Sequence, residues 1–247
     1  MPDSHDRTPR FQVEVPLAPG AALSLPPAAA HHASRVLRMR EGDAVTLFNG
    51  MGGEYAARIV RISRDGVSVQ VGAFDPVERE SPLAVTLVQG ISSGDRMDLT
   101  IQKAVELGVA AIQPILADRS LVRLKGERGD SRREHWQRIA EAACEQCGRN
   151  RVPPVAGALS ASDYRAPEGA LKLIMAPSAS TSLRMAGIQA GNQVVLAVGP
   201  EAGFSPREEA VLAGAGFVPV RLGPRILRTE TAGPAALAAL NALFGDS

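Results

Sequence analysis

Cysteine, lysine and long apolar runs are all scarce in this sequence, and each scarcity closes a class of explanations. The only two cysteines, Cys144 and Cys147, form a single C-x-x-C. No second pair exists, and His5, His31, His32 and His135 do not stand at zinc-ligand spacings from it. The motif therefore predicts two reduced thiols one helical turn apart, no disulfide framework and no metal. Lysine is confined to Lys103, Lys125 and Lys172 among 27 basic residues, and the net charge is only +1. The chain is no polycation, so any contact with nucleic acid must come from local patches. Arginine suits phosphate and base edges, although genomic base composition is the simpler cause of its excess. No apolar stretch is long enough to span a bilayer, and the alanine-rich tail over 232–244 falls short. The N-terminus lacks an apolar h-region, so a cytoplasmic protein without membrane partners is expected. Neither G-x-G-x-x-G nor a Walker sequence occurs, which weighs against a Rossmann-type nucleotide pocket.

What is present falls into two grammars. Of the 247 residues 45% are hydrophobic, enough for two small domains. Over 10–74 the pattern predicts short strands at Phe11–Val15, Ala44–Phe48, Glu54–Ile62 and Val67–Val71, with turn chemistry at Gly42, Asn49–Gly53 and Gly66. One helix follows Pro26-Pro27 and runs to Met39. This reads as a small β-barrel over 1–75. Pro76–Pro82, with two prolines and three charges, reads as a linker. From 83 onward, buried strands at Leu83–Ile91, Ala111–Leu116, Leu171–Ala176, Gln193–Val198 and Phe217–Leu222 alternate with helices, which predicts a mostly parallel α/β domain over 83–247.

Two turns of that domain carry candidate chemistry. GPEAGFSPREE (199–209) follows a buried strand, and Ser205, Pro206 and Glu208 open a capped helix behind it. Glycines here let peptide groups approach a flat ligand, at the strand ends where parallel sheets bind ligands. Taken alone, it also reads as an ordinary βα turn. LGPRILRTETAGP (222–234) is longer, and places Arg225, Arg228 and Glu230 beside a helix that is apolar nearly all round. That helix has more apolar face than one sheet covers, as a dimer interface would explain.

These two segments resemble the paired C-terminal motifs of the SPOUT methyltransferases, and within them the RsmE family of ribosomal RNA uridine-N3 methyltransferases. The likeness extends to HHASRVLRMREGD (31–43), FNGMGGEY (48–55), QKAVELG (102–108), Arg119-Ser120 and EAACEQCGRNRVPPV (141–155), in register over nearly the whole chain. It implies a PUA-like β-barrel that grips RNA, then an α/β domain tied into a trefoil knot. It further implies S-adenosylmethionine as cofactor, 16S ribosomal RNA of the small subunit as substrate, and a homodimer. Gly199, Pro200, Gly203, Leu222, Gly223, Ile226, Leu227 and Ala232 are then expected at the cofactor, with Pro200 and Ile226 shaping an apolar slot. Arg228 is expected to stabilise charge on the base, and Glu230 or Glu201 to take its proton, each of them equally readable as a structural charge. Arg10, Arg35, Arg38, Arg40, Arg119, Arg149 and Arg151 are the expected RNA contacts, with Arg58, Arg61, Arg64 and Arg123 as further candidates. Two departures stand out: Ala202 replaces a usual glycine, and Gly233-Pro234 interrupts the start of the last helix. Methylation of another RNA atom such as ribose 2′-oxygen, and a non-catalytic RNA-binding or assembly role, remain as alternatives.

Overall fold

The structure is a computed structural model and describes residues 8–120, 126–189 and 191–246. Arg123 and His5 lie outside the described residues. The chain divides into two compact units, 1–80 with 144–152, and 81–143 with 153–247.

In the first unit β1 (Arg10–Gln12), β2 (Ala22–Ser24), β3 (Ala44–Phe48), β4 (Glu54–Ser63) and β5 (Gly66–Asp75) make one sheet in the order β1-β3-β4-β5-β2. Strand β1 runs parallel to β3, and the other pairs are antiparallel. Alternation does the sorting: Val67, Val69 and Val71 join Phe11, Val45, Leu47 and Ile59 in a common core, while Gln70 faces solvent. The helix after Pro26 is shorter than its pattern predicts. Helix α1 (Pro27–His31) widens into a π turn over His32–Val36, and Arg38 ends it with a left-handed φ of 53°. Arg35, Val36, Leu37, Arg38 and Arg40 are left exposed on that turn. A division at 76–82 leaves 144–152 with the second domain, but side-chain hydrogen bonds tie it into the first unit. Glu145 accepts from the Gln12 amide at 2.8 Å, and Asn150 Nδ2 donates to the Val77 carbonyl at 2.8 Å.

In the second unit β6 (Ala84–Gly90), β7 (Ala111–Ile115), β8 (Leu171–Met175), β9 (Gln193–Val198) and β10 (Val218–Val220) form a wholly parallel sheet in the order β10-β8-β9-β6-β7. Its central strands, β6 and β9, are nearly continuous apolar runs because both faces are covered. On one face Val88, Ile115, Val195 and Ala197 pack with Phe204, Leu212 and Phe217. Helices α2 (Arg96–Glu106) and α5 (Thr229–Phe244) pack against each other, and α5 also lies on β6 and β9. Helices α3 (Glu127–Cys147) and α4 (Pro206–Gly214) complete the element list. The chain leaves β6 toward β7 at one edge and leaves β9 toward β10 at the other. The crevice between the carboxyl ends of β6 and β9 is thus a topological switch point, where ligands of open α/β sheets bind.

Helix α5 begins earlier than its sequence predicts, at Thr229, so Pro234 sits beyond the first turn and removes the amide that would reach back to residue 230. The glycine before it has a packing cause: a Cβ at Gly233 would stand 3.3 Å from Gln89 Oε1 and 3.4 Å from Leu87. Ala236, Leu237 and Leu240 are buried, while Leu243 is 45% exposed. No helix among the described residues is long and apolar enough to cross a membrane.

Candidate active site

Three loops meet at the switch point. The β9–α4 turn begins at Gly199 and is folded tightly: the Gly203 amide donates to the Pro200 carbonyl at 2.8 Å, with φ 70° at Gly203. Gly203 supplies the left-handed residue, and Arg38 is the one non-glycine residue with positive φ among those described. Ala202 therefore needs no glycine-like freedom. A Cβ on Gly199 would lie 3.0 Å from both Gly203 Cα and Phe204 N, so the turn would have to open by a few tenths of an ångström to admit one. The capping box of Ser205 and Glu208 then starts α4, and Ser205 Oγ donates to Asp118 Oδ2 at 2.7 Å.

The β6–α2 loop lies against this turn. A Cβ at Gly90 would be 2.5 Å from Pro200, so only glycine admits the approach. The start of α5 is tied in by a buried chain of hydrogen bonds. Gln89 Nε2 donates to Thr229 Oγ1 at 3.0 Å, and Thr229 Oγ1 donates to the Gly199 carbonyl at 2.7 Å. Gln89 is fully buried, and its amide nitrogen offers only hydrogens, which fixes the direction of the Thr229 proton.

Two clefts result, sharing Leu227 and Thr229. The first has apolar walls from Met175, Pro177, Val198, Leu227 and Ala232, and presents backbone at Gly199, Leu222 and Gly223, with Arg221 and Arg225 on its rim. Such a slot fits a flat heteroaromatic ring read by peptide groups, together with a charged tail. The second is lined by Arg96, Glu201, Arg228 and Glu230 beside Leu227 and Thr229. Arg96 NH1 meets Glu201 Oε1 at 2.9 Å, and its Nε stands 3.8 Å from Glu230 Oε1. Partial burial works against the Glu201 charge. Hydrogen bonds from the Ser93 amide, its own amide, the Ser93 hydroxyl and Arg96 overcome this and hold its carboxyl below the ordinary value. Among the described residues no group of three or more His, Cys, Asp or Glu is arranged to hold a metal ion.

Known proteins share this architecture. Residues 79–241 match the model of an RNA methyltransferase domain, and residues 25–72 that of an RNA methyltransferase PUA domain. Ribosomal RNA small subunit methyltransferase E of Buchnera aphidicola is 34% identical over 97% of this chain and 98% of its own. The chain belongs to this family. The Neisseria gonorrhoeae member, solved with S-adenosyl methionine, is 41% identical and superposes with a TM-score of 0.89 over 97% of this chain and 99% of that one. A Legionella pneumophila protein in complex with bound cofactor SAM, also 41% identical, gives 0.93 over 98% of this chain and 100% of that one.

Several expected site residues fall elsewhere. Gly199, Leu222, Gly223, Leu227 and Ala232 line the first cleft. Pro200 and Gly203 build the turn from behind instead. Ile226 is 83% exposed, because Leu227 turns inward and its neighbour along the loop must face away. Arg149 is no surface contact: it is 4% exposed and paired with Glu80. Arg10 is likewise occupied, by Glu54 and by Asn150 Oδ1 at 2.6 Å. Arg151 pairs with Glu78 at 3.1 Å, and Arg119 NH1 points at the Ala202 carbonyl, 3.3 Å away. Arg35, Arg38 and Arg40 are exposed and make no ion pair among the described residues. Arg96, Ser93, Gln89 and Thr229 were not picked out by the sequence pattern. The signal was there in SSGD (92–95), a second small-residue turn after a buried strand.

Proposed function

We propose that this chain transfers a methyl group from S-adenosylmethionine to N3 of a uridine in 16S ribosomal RNA. The observation that carries the reading is the pairing of clefts at one switch point: an apolar slot edged with backbone groups opens beside a charged recess whose Arg228 makes no ion pair among the described residues. When bound, S-adenosylmethionine supplies a methyl group on a cationic sulfonium. The chain's own residues do the rest. Gly199, Leu222 and Gly223 offer peptide groups to the cofactor, and Leu227 and Ala232 wall the slot. Uracil N3 bears a weakly acidic proton, so the base is methylated as its anion. Arg228 stabilises that charge, a role supported by its position in the wall of the second cleft. The hydrogen bonds on Glu201 weaken it as a proton acceptor, since a carboxylate stabilised as the anion is a poorer base.

On the first unit, Arg35, Arg38 and Arg40 are the proposed RNA contacts, supported by their exposure and by the lack of an ion pair to any of them among the described residues. A homodimer and a cytoplasmic location are part of the same proposal. The part-exposed apolar end of α5 at Leu243 supports the dimer. The test is incubation with labelled cofactor and under-methylated small-subunit RNA, followed by nucleoside mass spectrometry. Label on uracil N3 is the expected result. Label on ribose, or none, would overturn it.

A further inference from the structure

Four charged side chains share the second cleft, two of each sign, and they are unevenly paired. Arg96 reaches both acids: it donates to Glu201 at 2.9 Å and faces Glu230 at 3.8 Å, too long for a hydrogen bond but within ion-pair range. Arg228 forms no ion pair among the described residues and is exposed. Ser93 completes the arrangement. Its amide and hydroxyl donate to the same Glu201 oxygen at 2.9 and 2.8 Å, and its hydroxyl accepts from Arg96 at 3.0 Å. A guanidinium beside a carboxylate has most of its outward field cancelled, and an unpaired one does not.

We propose that Arg96 is a positioning residue: it draws Glu201 and Glu230 to one wall of the cleft and so keeps Arg228 free to meet an anionic atom of the substrate. The proposal takes its substrate from the methyl-transfer reading above, whereas the charge arrangement stands independently of it. Glu230 follows Arg228 by two positions at the start of α5. Without Arg96, the remaining arginine of this cleft is Arg228, and pairing with it would cancel the charge the reaction needs. On this proposal the two glutamates serve as partners of Arg96 and not as the general base.

The test compares wild type with Arg96→Ala, Arg96→Gln, Glu230→Gln and the double variant Arg96→Ala/Glu230→Gln, with two readouts. The first is the rate of phenylglyoxal labelling at Arg228, read by peptide mass spectrometry, which needs no methyl transfer. Labelling should slow severalfold in both Arg96 variants and recover in the double variant. The second is steady-state methyl transfer. Loss of Arg96 should lower kcat about ten- to a hundredfold with cofactor KM within about twofold, and the double variant should regain most of that loss. Equal Arg228 labelling in all five proteins would overturn the proposal. So would multiplicative losses in the double variant, or an inactive Glu230→Gln protein, which would make Glu230 the base. If the wild type methylates no RNA, the functional reading falls while the labelling series still decides the charge arrangement.

Discussion

The two clefts touch at Leu227 and Thr229 yet are built on opposite chemical plans. The first is mainly a main-chain site: glycine at 199 and 223 keeps Cβ atoms away, and most of the remaining wall is apolar, with Arg221 and Arg225 at its rim. With the cofactor seated there, as proposed, selectivity would rest on shape and on peptide groups that cannot titrate. The second is a side-chain site of two arginines and two glutamates, where function depends on which charge pairs with which. A substitution in the first should change what binds, and one in the second how fast a bound complex reacts.

The largest expected effect tests the first plan. Gly199→Val should lower cofactor affinity by about a thousandfold or more, measured by calorimetry. The cause is internal, since even a Cβ at 199 would press on Gly203 and Phe204 within the turn. Retained affinity would show that the turn is not the cofactor's seat. Next, Arg228→Ala should cost roughly 10²–10³ in kcat and leave cofactor affinity within about twofold. A matching loss of affinity would break the division between the clefts.

Thr229→Val probes the border. It removes the donor to the Gly199 carbonyl and leaves the buried Gln89 amide short of an acceptor. Denaturant unfolding should show a loss of about 1–3 kcal/mol, accompanied by a severalfold fall in cofactor affinity. Unchanged values for both would show that the two clefts are not coupled through Thr229. The smallest effect concerns Glu201. A carboxyl held below its ordinary value adds stability that is complete above the unfolded carboxylate range and disappears as pH falls through the lowered folded value. Glu201→Gln should therefore lower stability slightly at neutral pH, leave it nearly unchanged below the lowered folded value, and so flatten the acid limb of a stability–pH curve. A curve that keeps its full acid limb would remove Glu201 from that account.

Arginine shows where local reading stops. Arg35 and Arg149 are alike as sequence, each a cation in a polar stretch. One is exposed on a π turn, while the other is 4% exposed against Glu80, 69 positions away. Nothing near Arg149 in the chain announces that partner. Arg96 was missed for the converse reason. Its role depends on Glu201 and Glu230, more than a hundred positions away, brought to it by strand order.

By itself, the sequence determined what depends on neighbours within a few positions. The apolar runs of β6 and β9 made the parallel sheet legible. Ser205, Pro206 and Glu208 announced the start of α4, and the two glycine-bearing turns marked where the first cleft lies. These are matters of backbone freedom, capping and local burial. Tertiary structure alone decided which turns converge, which arginines are spent on ion pairs and which stays free. It also set Gly90 and Gly233 as close-approach positions. The reason is physical: charge pairing and steric contact depend on distance in space, and in this sheet β6 and β9 lie side by side although about a hundred residues of chain separate them.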